Sequence, residues 1–224
     1  PTLGQIAITP FGVDMDAYAG AVPMSRAQPG RWVVGTVKTM ADKYGIDTLI
    51  QAFALLLASL QASDPDMARQ LHLRLVGDGP RMQALKQLAA QLGVAERVQF
   101  VGHVDHAQVP HELAQLDVYV ALSRQESFGV AVIEAGAAAR PVVVSDAGGL
   151  PEVVLDGVTG LVVPRENPQA AADAIERLLR DADLRQRMGA AARRHVAQHY
   201  SWDACVETML KVYERLVARH RSSR

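Results

Sequence analysis

The chain has 224 residues, 49% of them hydrophobic, and its 23 Lys and Arg residues nearly balance its 24 Asp and Glu residues. This balance excludes an overall charge that would recruit nucleic acid or an anionic membrane. The single cysteine, Cys205, excludes an internal disulfide, and without a cleavable leader or an apolar run of about 18 residues the sequence favours a cytoplasmic location.

Short β-branched runs alternate with Ala- and Leu-rich stretches along the chain. The predicted strands are 6–9, 31–37, 71–76, 97–102, 117–122, 141–145 and 160–163. The predicted helices are 45–61, 80–92, 106–115, 128–139, 149–155, 167–180, 183–199 and 202–219. This alternation is typical of an α/β fold with helices on both faces of a parallel sheet. We therefore predict a doubly wound, Rossmann-like sheet of about six strands with a C-terminal helical run.

The domain organisation follows from these elements. Residues 1–30 are predicted to be a hinge-like segment that enters the domain, and residues 31–200 to be the ligand-binding domain. Residues 201–219 should form a terminal helix with Ser201 as its N-cap, before a frayed tail at 220–224.

The loop "SRQESFG" (123–129) leads into an apolar helix that we expect to begin at Phe128. Ligands of open α/β sheets bind at such loops, and unpaired amides of the first helical turn, next to Gly129, would donate to a phosphate or sugar oxygen. Glu126 and Glu134 are eight positions apart, which on a helix is about 12 Å along the axis and roughly 80° of rotation. We interpret the pair as gripping the two ends of a nucleotide sugar. The alternative is a helix-capping Glu126 and a solvated Glu134.

Seven segments, in this order, carry a family resemblance. They are "PFGVDMDAY" (10–18), "KYGIDTLIQAF" (43–53), "LRLVGDGP" (73–80), "VQFVGHV" (98–104), "ESFGVAVIE" (126–134), "GGLPEVVLDGVTGLVVP" (148–164) and "YSWDACVETMLKVYERL" (200–216). Together they resemble the C-terminal domain of glycosyltransferase family 4, also called group 1, whose members have the two-domain GT-B fold. E-x7-E alone is a weak signal, but seven ordered segments are specific.

The resemblance implies one half of a GT-B fold and an enzyme of the hexosyltransferase type. Such an enzyme transfers a sugar from a nucleoside diphosphate sugar with retention of configuration and without a metal ion or other cofactor. By position, Glu126 would lie near the donor sugar. The implied donor-binding residues are Glu134 for the ribose, Ser127, Phe128, Gly129 and Val130 for phosphate or sugar oxygens, Gly102 and His103 for the base, Gly149 and Glu152 for the sugar side, and Gly77.

Charge that develops on the leaving diphosphate requires a fixed cation. Many family members carry an Arg after the first strand of this domain and a Lys a few residues later. Thr36 stands where that Arg would be, whereas Lys43 matches the Lys, although Tyr44 intervenes before the following glycine. Lys38 is a candidate replacement for the missing Arg. We predict Lys43 and Lys38 as catalytic residues beside Glu126; ordinary solvated lysines are the alternative.

No metal site is predicted. The Asp pairs at 14–16, 64–66 and 181–183 suit loop or helix-cap positions, and His195 and His199 lack a third ligand. The expected partner is the nucleotide-sugar donor, with no nucleic acid, and the fragment alone should be inactive. The acceptor site is expected on a missing N-terminal domain, which could also contact the inner face of a membrane. Two other functions stay open: a nucleotide-sugar epimerase-like enzyme and a non-catalytic nucleotide-binding or assembly module.

Overall fold

The computed structural model describes residues 9–20 and 30–222. The predicted strand at 6–9 falls, apart from Thr9, outside these residues, as does much of the hinge-like segment. The described strands form one parallel sheet in the order β3-β2-β1-β4-β5-β6. Their bounds are β1 Trp32–Val37, β2 Leu71–Val76, β3 Val98–Gly102, β4 Val118–Ala121, β5 Val142–Ser145 and β6 Gly160–Val163. The predicted doubly wound fold is confirmed.

The strand sequences explain why the sheet is central. Every residue of β4 and β5 is buried, as expected for apolar strands covered on both faces. Strand order reverses between β1 and β4, which pair directly through Val34 and Val118. In open α/β sheets this reversal opens a crevice at the carboxyl ends of the two strands. The loops that follow β1 and β4 therefore lie side by side.

Nine α-helices cover the sheet in the described part of the chain. Their bounds are α1 Ile46–Ser63, α2 Pro65–Gln70, α3 Met82–Gln91, α4 Val109–Ala114, α5 Val130–Ala137, α6 Leu150–Val153, α7 Pro168–Arg180, α8 Ala182–His199 and α9 Trp202–Ser222. One core lies beneath α1, α3 and α7, and the second beneath α4, α5, α6 and part of α8. The short α2 was not predicted; Asp64 caps it by accepting from the amide of Met67 at 3.0 Å, and Pro65 opens its first turn.

Helix α1 is long and apolar enough, by length and composition, to cross a membrane. Half of that 18-residue window is buried inside the domain, and α1 packs against α7. Its apolar character is thus accounted for by the core of the α/β domain.

The terminal helix α9 begins beside the hinge-like segment. The amide of Val13 donates to Tyr200 O at 2.8 Å, and the amide of Trp202 donates back to Val13 O at 3.3 Å. Ser201 Oγ accepts from the amide of Ala204 at 3.2 Å, which confirms the predicted N-cap. The helix continues to Ser222, three residues beyond the predicted end.

Candidate functional site

The loops after β1 and β4 are joined by main-chain hydrogen bonds. The amides of Arg124 and Gln125 both donate to Lys43 O, at 2.8 and 3.1 Å. A cavity of about 470 Å³ opens at this junction. It is lined by Lys43, Tyr44, Arg124, Gln125, Glu126, Ser127, Gly148 and Arg165. The fold therefore brings two of the predicted catalytic residues, Lys43 and Glu126, to one cavity at the reversal of strand order. We call it the first cavity.

Glu126 forms an ion pair with Lys38. Lys38 Nζ donates to Glu126 Oε2 at 2.7 Å, and the two side chains are only 13% and 9% exposed. Ser123 Oγ also donates to Glu126 Oε2, at 3.4 Å, and the Lys38 amine lies 4.3 Å from the centre of the Tyr44 ring. Because little water reaches the two side chains, removing either charge would leave the other without a partner, at a cost in free energy. Lys38 therefore places a positive charge within the site and holds the Glu126 carboxylate in one position.

Lys43 differs from Lys38 in having no acidic partner among the described residues. Its side chain is exposed, and its amine lies 4.9 Å from the centre of the Tyr44 ring. The amine carries no ion pair within the described ranges 9–20 and 30–218. An anionic ligand in this cavity could bind the Lys43 amine without first breaking an ion pair within the described residues.

Arg124 is a residue that the sequence reasoning missed. Its guanidinium makes a two-pronged contact with Asp47 at 2.7 and 2.9 Å, and it also donates to Glu166 at 2.9 Å and to Asp42 O at 2.7 Å. Burial raises the pKa of Asp47, but the hydrogen bonds and charge of Arg124 outweigh this and lower that pKa overall. Arg124 thus fastens the loop that carries Lys43 to the loop that carries Glu126.

Helix α5 begins two residues later than predicted. Gly129 adopts the left-handed conformation, with φ of 96°, so the first helical residue is Val130 rather than Phe128. Glu126 lies in the preceding loop, and helical geometry cannot set its spacing from Glu134 as we expected. The amides of Ser127 to Val130 donate no hydrogen bond to any described residue, so they are available to an anion. Phe128 packs its ring against Tyr200, with centroids 5.9 Å apart.

Glu134 is buried within α5 and faces a different cavity. That second cavity, of about 720 Å³, also exposes Tyr18, His106 and Val130 to its interior. Burial raises the pKa of Glu134, while the nearby side chains of His106, Tyr18 and Lys38 act in the opposite direction. His106 Nδ1 lies 3.8 Å from Glu134 Oε1. Val130, the first residue of α5, lines the same cavity, so the second cavity opens at the helix start that follows the Glu126 loop.

Gly149 and its neighbour Gly148 support the Glu126 loop. The Gly149 amide donates to Glu126 O at 3.1 Å. Gly148 has a φ of 50°, and a Cβ atom at this position would overlap the same Glu126 oxygen. Glu152 is exposed on α6, where its carbonyl accepts from the Tyr200 hydroxyl at 3.4 Å. The two glycines thus pack directly against the main chain of Glu126.

Gly77, Gly102 and His103 lie at the ends of β2 and β3. The Gly77 amide donates to Gly102 O at 2.7 Å and is therefore already used. His103 is exposed, and of these three described residues none lines the first or the second cavity. Within the ranges that the structure describes, no group of three His, Cys, Asp or Glu residues could hold a metal ion.

Comparison with known proteins identifies the family. The family model described as "Glycosyl transferases group 1" matches residues 23–195. The chain belongs to the group 1 glycosyl transferases. This confirms the resemblance drawn from the seven segments. Group 1 relatives include D-inositol 3-phosphate glycosyltransferases of Jonesia denitrificans, 36% identical over 96% of this chain, and Nocardia farcinica, 37% identical over 93%. The chain spans about half the length of these relatives, 50% and 47% respectively.

Solved structures of group 1 and related glycosyltransferases share the fold. Anabaena HepE in complex with UDP and glucose matches 92% of this chain and 55% of its own, with a TM-score of 0.75 and 25% identity. A sucrose-phosphate synthase from Thermosynechococcus elongatus matches 95% of this chain and 53% of its own, with a TM-score of 0.79 and 28% identity. A C-terminal domain of a group 1 protein from Francisella tularensis is covered completely, with a TM-score of 0.72 and 23% identity over 85% of this chain. The chain thus has the architecture of a GT-B C-terminal domain.

Proposed function

We propose that this chain is the donor-binding half of a retaining glycosyltransferase of the hexosyltransferase type. The enzyme moves a sugar from a nucleoside diphosphate sugar to an acceptor, in the synthesis of a glycan, polysaccharide or glycolipid in the cytoplasm. One observation carries this proposal: Lys43, which has no acidic partner among the described residues, and Ser127 line one cavity at the reversal of strand order, and Ser127 begins a run of amides, 127–130, that donate to no described residue. The UDP and glucose bound to Anabaena HepE support a donor of this class.

The leaving diphosphate is stabilised by Lys43 and by these amides. Cleavage of the bond between the sugar and the phosphate leaves extra negative charge on the diphosphate, and fixed donors must already face it. The α5 dipole supplies only about 0.3–1 kcal/mol at an exposed site, so the Lys43 charge supplies the larger share. With Lys43 in this role, a divalent metal ion is not needed.

Glu126 and Lys38 act on the donor sugar as a pair. The Lys38 amine holds one oxygen of Glu126 at 2.7 Å, which leaves the other oxygen to accept from a sugar hydroxyl. Thr36, at the position of the family's arginine, is fully buried in β1. Lys38, two residues later, therefore provides a cation that Thr36 cannot. It is a point charge and not a two-pronged donor.

A second half of the protein covers the outer face of α9. This face exposes seven large apolar side chains, each between 41% and 59% accessible: Trp202, Val206, Met209, Leu210, Tyr213, Leu216 and Val217. Several recur at alternating spacings of four and three, the pattern of a helix that packs against a partner. Phe11 of the hinge-like segment lies 5.9 Å from the Trp202 ring, so the chain enters beside this face. We assign the face, and any peripheral membrane contact, to an N-terminal acceptor domain, without which this half is inactive.

Product analysis of the full-length protein tests the proposal. We would supply UDP-, GDP- and ADP-glucose with D-inositol 3-phosphate, the acceptor in the name of the relatives, and with membrane extract as a second acceptor source. We expect an acceptor-dependent product whose α-anomeric configuration, measured by NMR, matches that of the donor. A product of inverted configuration contradicts retention. An epimerised nucleotide sugar formed from donor alone favours an epimerase, and a folded protein that binds no nucleoside diphosphate favours a non-catalytic module.

A further inference from the structure

The aromatic ring of Tyr44 contacts both lysines of the proposed site. The Lys38 amine lies 4.3 Å from the ring centre, and the Lys43 amine lies 4.9 Å from it. A cation within about 6 Å of the centre of an aromatic face is attracted by the negative potential of that face. Tyr44 also lines the first cavity. One neutral side chain therefore attracts both of the cations that the proposed function places in the site.

The backbone around Tyr44 fixes the ring without help from the lysines. Tyr44 ends the single helical turn Asp42–Tyr44, and its amide donates to Ala41 O at 3.0 Å. The next residue, Gly45, has a φ of 61° and lies so close to Leu122 O that a Cβ atom would overlap this oxygen. The Tyr44 ring is partly buried and packs against the core beneath α1. The fold therefore holds the ring in place before a ligand binds.

The contact with the ring has a different consequence for each lysine. Lys38 is already held by Glu126 at 2.7 Å, so the ring adds a second contact to a fixed amine. Lys43 is exposed and has no acidic partner among the described residues, so its amine is held by the ring. A flexible lysine side chain loses rotamer entropy when a ligand immobilises it. Because the ring restricts the Lys43 amine beforehand, it lowers this cost for an anionic ligand.

We infer that Tyr44 is a positioning residue whose ring face holds the Lys43 amine at the first cavity, where the amine meets the diphosphate of the donor. This inference rests on the proposed function, in which Lys43 stabilises the leaving diphosphate. A neutral ring suits this role, because a carboxylate in its place would cancel the charge that the diphosphate requires. The Tyr44 hydroxyl makes no hydrogen bond to any residue that the structure describes, so the ring face carries the effect.

Fluorine substitution on the ring tests this inference with little change in the shape of the side chain. Fluorine withdraws electrons and so weakens the negative potential of the ring face. With the full-length protein, we would measure the Kd of UDP, GDP and ADP by calorimetry and continue with the tightest of the three. Since these nucleotides lack the donor sugar, their Kd reports on Lys43 rather than on the pair of Lys38 and Glu126. Tyr44→Phe should keep the Kd within about twofold of wild type, whereas trifluorophenylalanine at the same position should raise it about threefold to tenfold.

Further variants separate positioning from packing. In a Lys43→Ala background, the fluorinated ring should change the Kd by less than about twofold, because the cation on which it acts is gone. Phe100 offers a matched control, since its ring lies 5.8 Å from the Lys86 amine and lines neither the first nor the second cavity. Trifluorophenylalanine in place of Phe100 should leave the Kd unchanged. Tyr44→Leu removes the ring altogether, should raise the Kd by a similar factor, and serves as the test if the fluorinated protein does not fold.

The outcomes distinguish this inference from the proposed function. A Kd that fluorination at position 44 leaves unchanged, or raises equally in the Lys43→Ala background, would overturn the inference. It would also be overturned if Tyr44→Phe raised the Kd as much as the fluorinated ring does, because the hydroxyl would then be the active group. If Lys43→Ala alone leaves the Kd unchanged, or wild type binds none of the three nucleotides, the proposed function fails and the inference fails with it.

Discussion

The two acids of the E-x7-E segment flank the start of α5 in different electrostatic settings. Glu126 is neutralised by Lys38 at 2.7 Å in the first cavity. Glu134 is buried beside the second cavity, where a neutral hydroxyl and an exposed histidine are near it and burial raises its pKa. The first acid is held in place by a lysine, whereas the second has no lysine or arginine ion-pair partner among the residues that the structure describes. The same residue type therefore lies in two different electrostatic environments, and its neighbours make the difference.

The largest effect is expected from Lys43, which has no acidic partner in the part of the chain that the structure describes. Lys43→Ala should lower kcat of the full-length enzyme by about two or more orders of magnitude, because the charge that meets the leaving diphosphate is removed. Lys86→Ala, on the exposed face of α3, is the matched control and should keep wild-type turnover. Near wild-type turnover in Lys43→Ala would rule out this role for Lys43.

A smaller effect is expected from the glycine beneath Glu126. Gly148→Ala introduces a Cβ atom against the Glu126 carbonyl oxygen and should displace the carboxylate from the first cavity. Displacements of this kind lower turnover by up to about a hundredfold, so we expect a tenfold loss or more. Gly157 is also left-handed, at φ of 72°, but its Cβ position is open. Gly157→Ala should therefore cost only about 1–2 kcal/mol of stability and no activity. Equal activity in the two variants would show that the glycine pair does not support Glu126.

The smallest effect is expected in the stability of the Glu134 side. Burial raises the pKa of Glu134, so the folded state binds its proton more tightly and loses stability as pH rises above about 4.5, the ordinary value. Glu134→Gln removes this cost and should raise the Tm at neutral pH by no more than a few degrees. The gain should shrink towards pH 4.5 and below, where wild-type Glu134 is protonated both folded and unfolded.

Glu126→Gln is the opposing control for that measurement. It leaves the partly buried Lys38 amine without its ion-pair partner and should lower the Tm at neutral pH. Thermal melts of the two variants across pH would thus give shifts of opposite sign. Tm shifts of the same sign in both variants would contradict the claim that the two acids lie in different electrostatic environments.

Sequence reasoning found what depends on local pattern. Apolar runs such as 141–145 predicted the strands, and Ser201 predicted the start of α9. The start of α5 was missed because its boundary depends on the left-handed backbone of Gly129, and glycine occurs in many conformations. Short α2 was missed because it adds only six residues after α1.

The ion-pair partners within the site could not be predicted from the sequence, because they are far apart along the chain. Lys38 and Glu126 are 88 positions apart, and Arg124 is 77 positions from Asp47. Glu126, Lys38 and Lys43 could be named as candidates from the sequence. Only the fold shows that Lys38 pairs with Glu126 and that Lys43 has no acidic partner among the described residues. The sequence shows that the loop "SRQE" contains an arginine. A single sequence does not show that this arginine, Arg124, forms an ion pair with Asp47.

A crystal structure of the full-length protein with bound nucleoside diphosphate tests the central claim most directly. We predict that diphosphate oxygens lie within about 3 Å of the Lys43 amine and of amides between Ser127 and Val130, with a ribose hydroxyl donating to Glu134. A nucleotide bound away from the start of α5, or with its ribose out of reach of Glu134, would contradict this account.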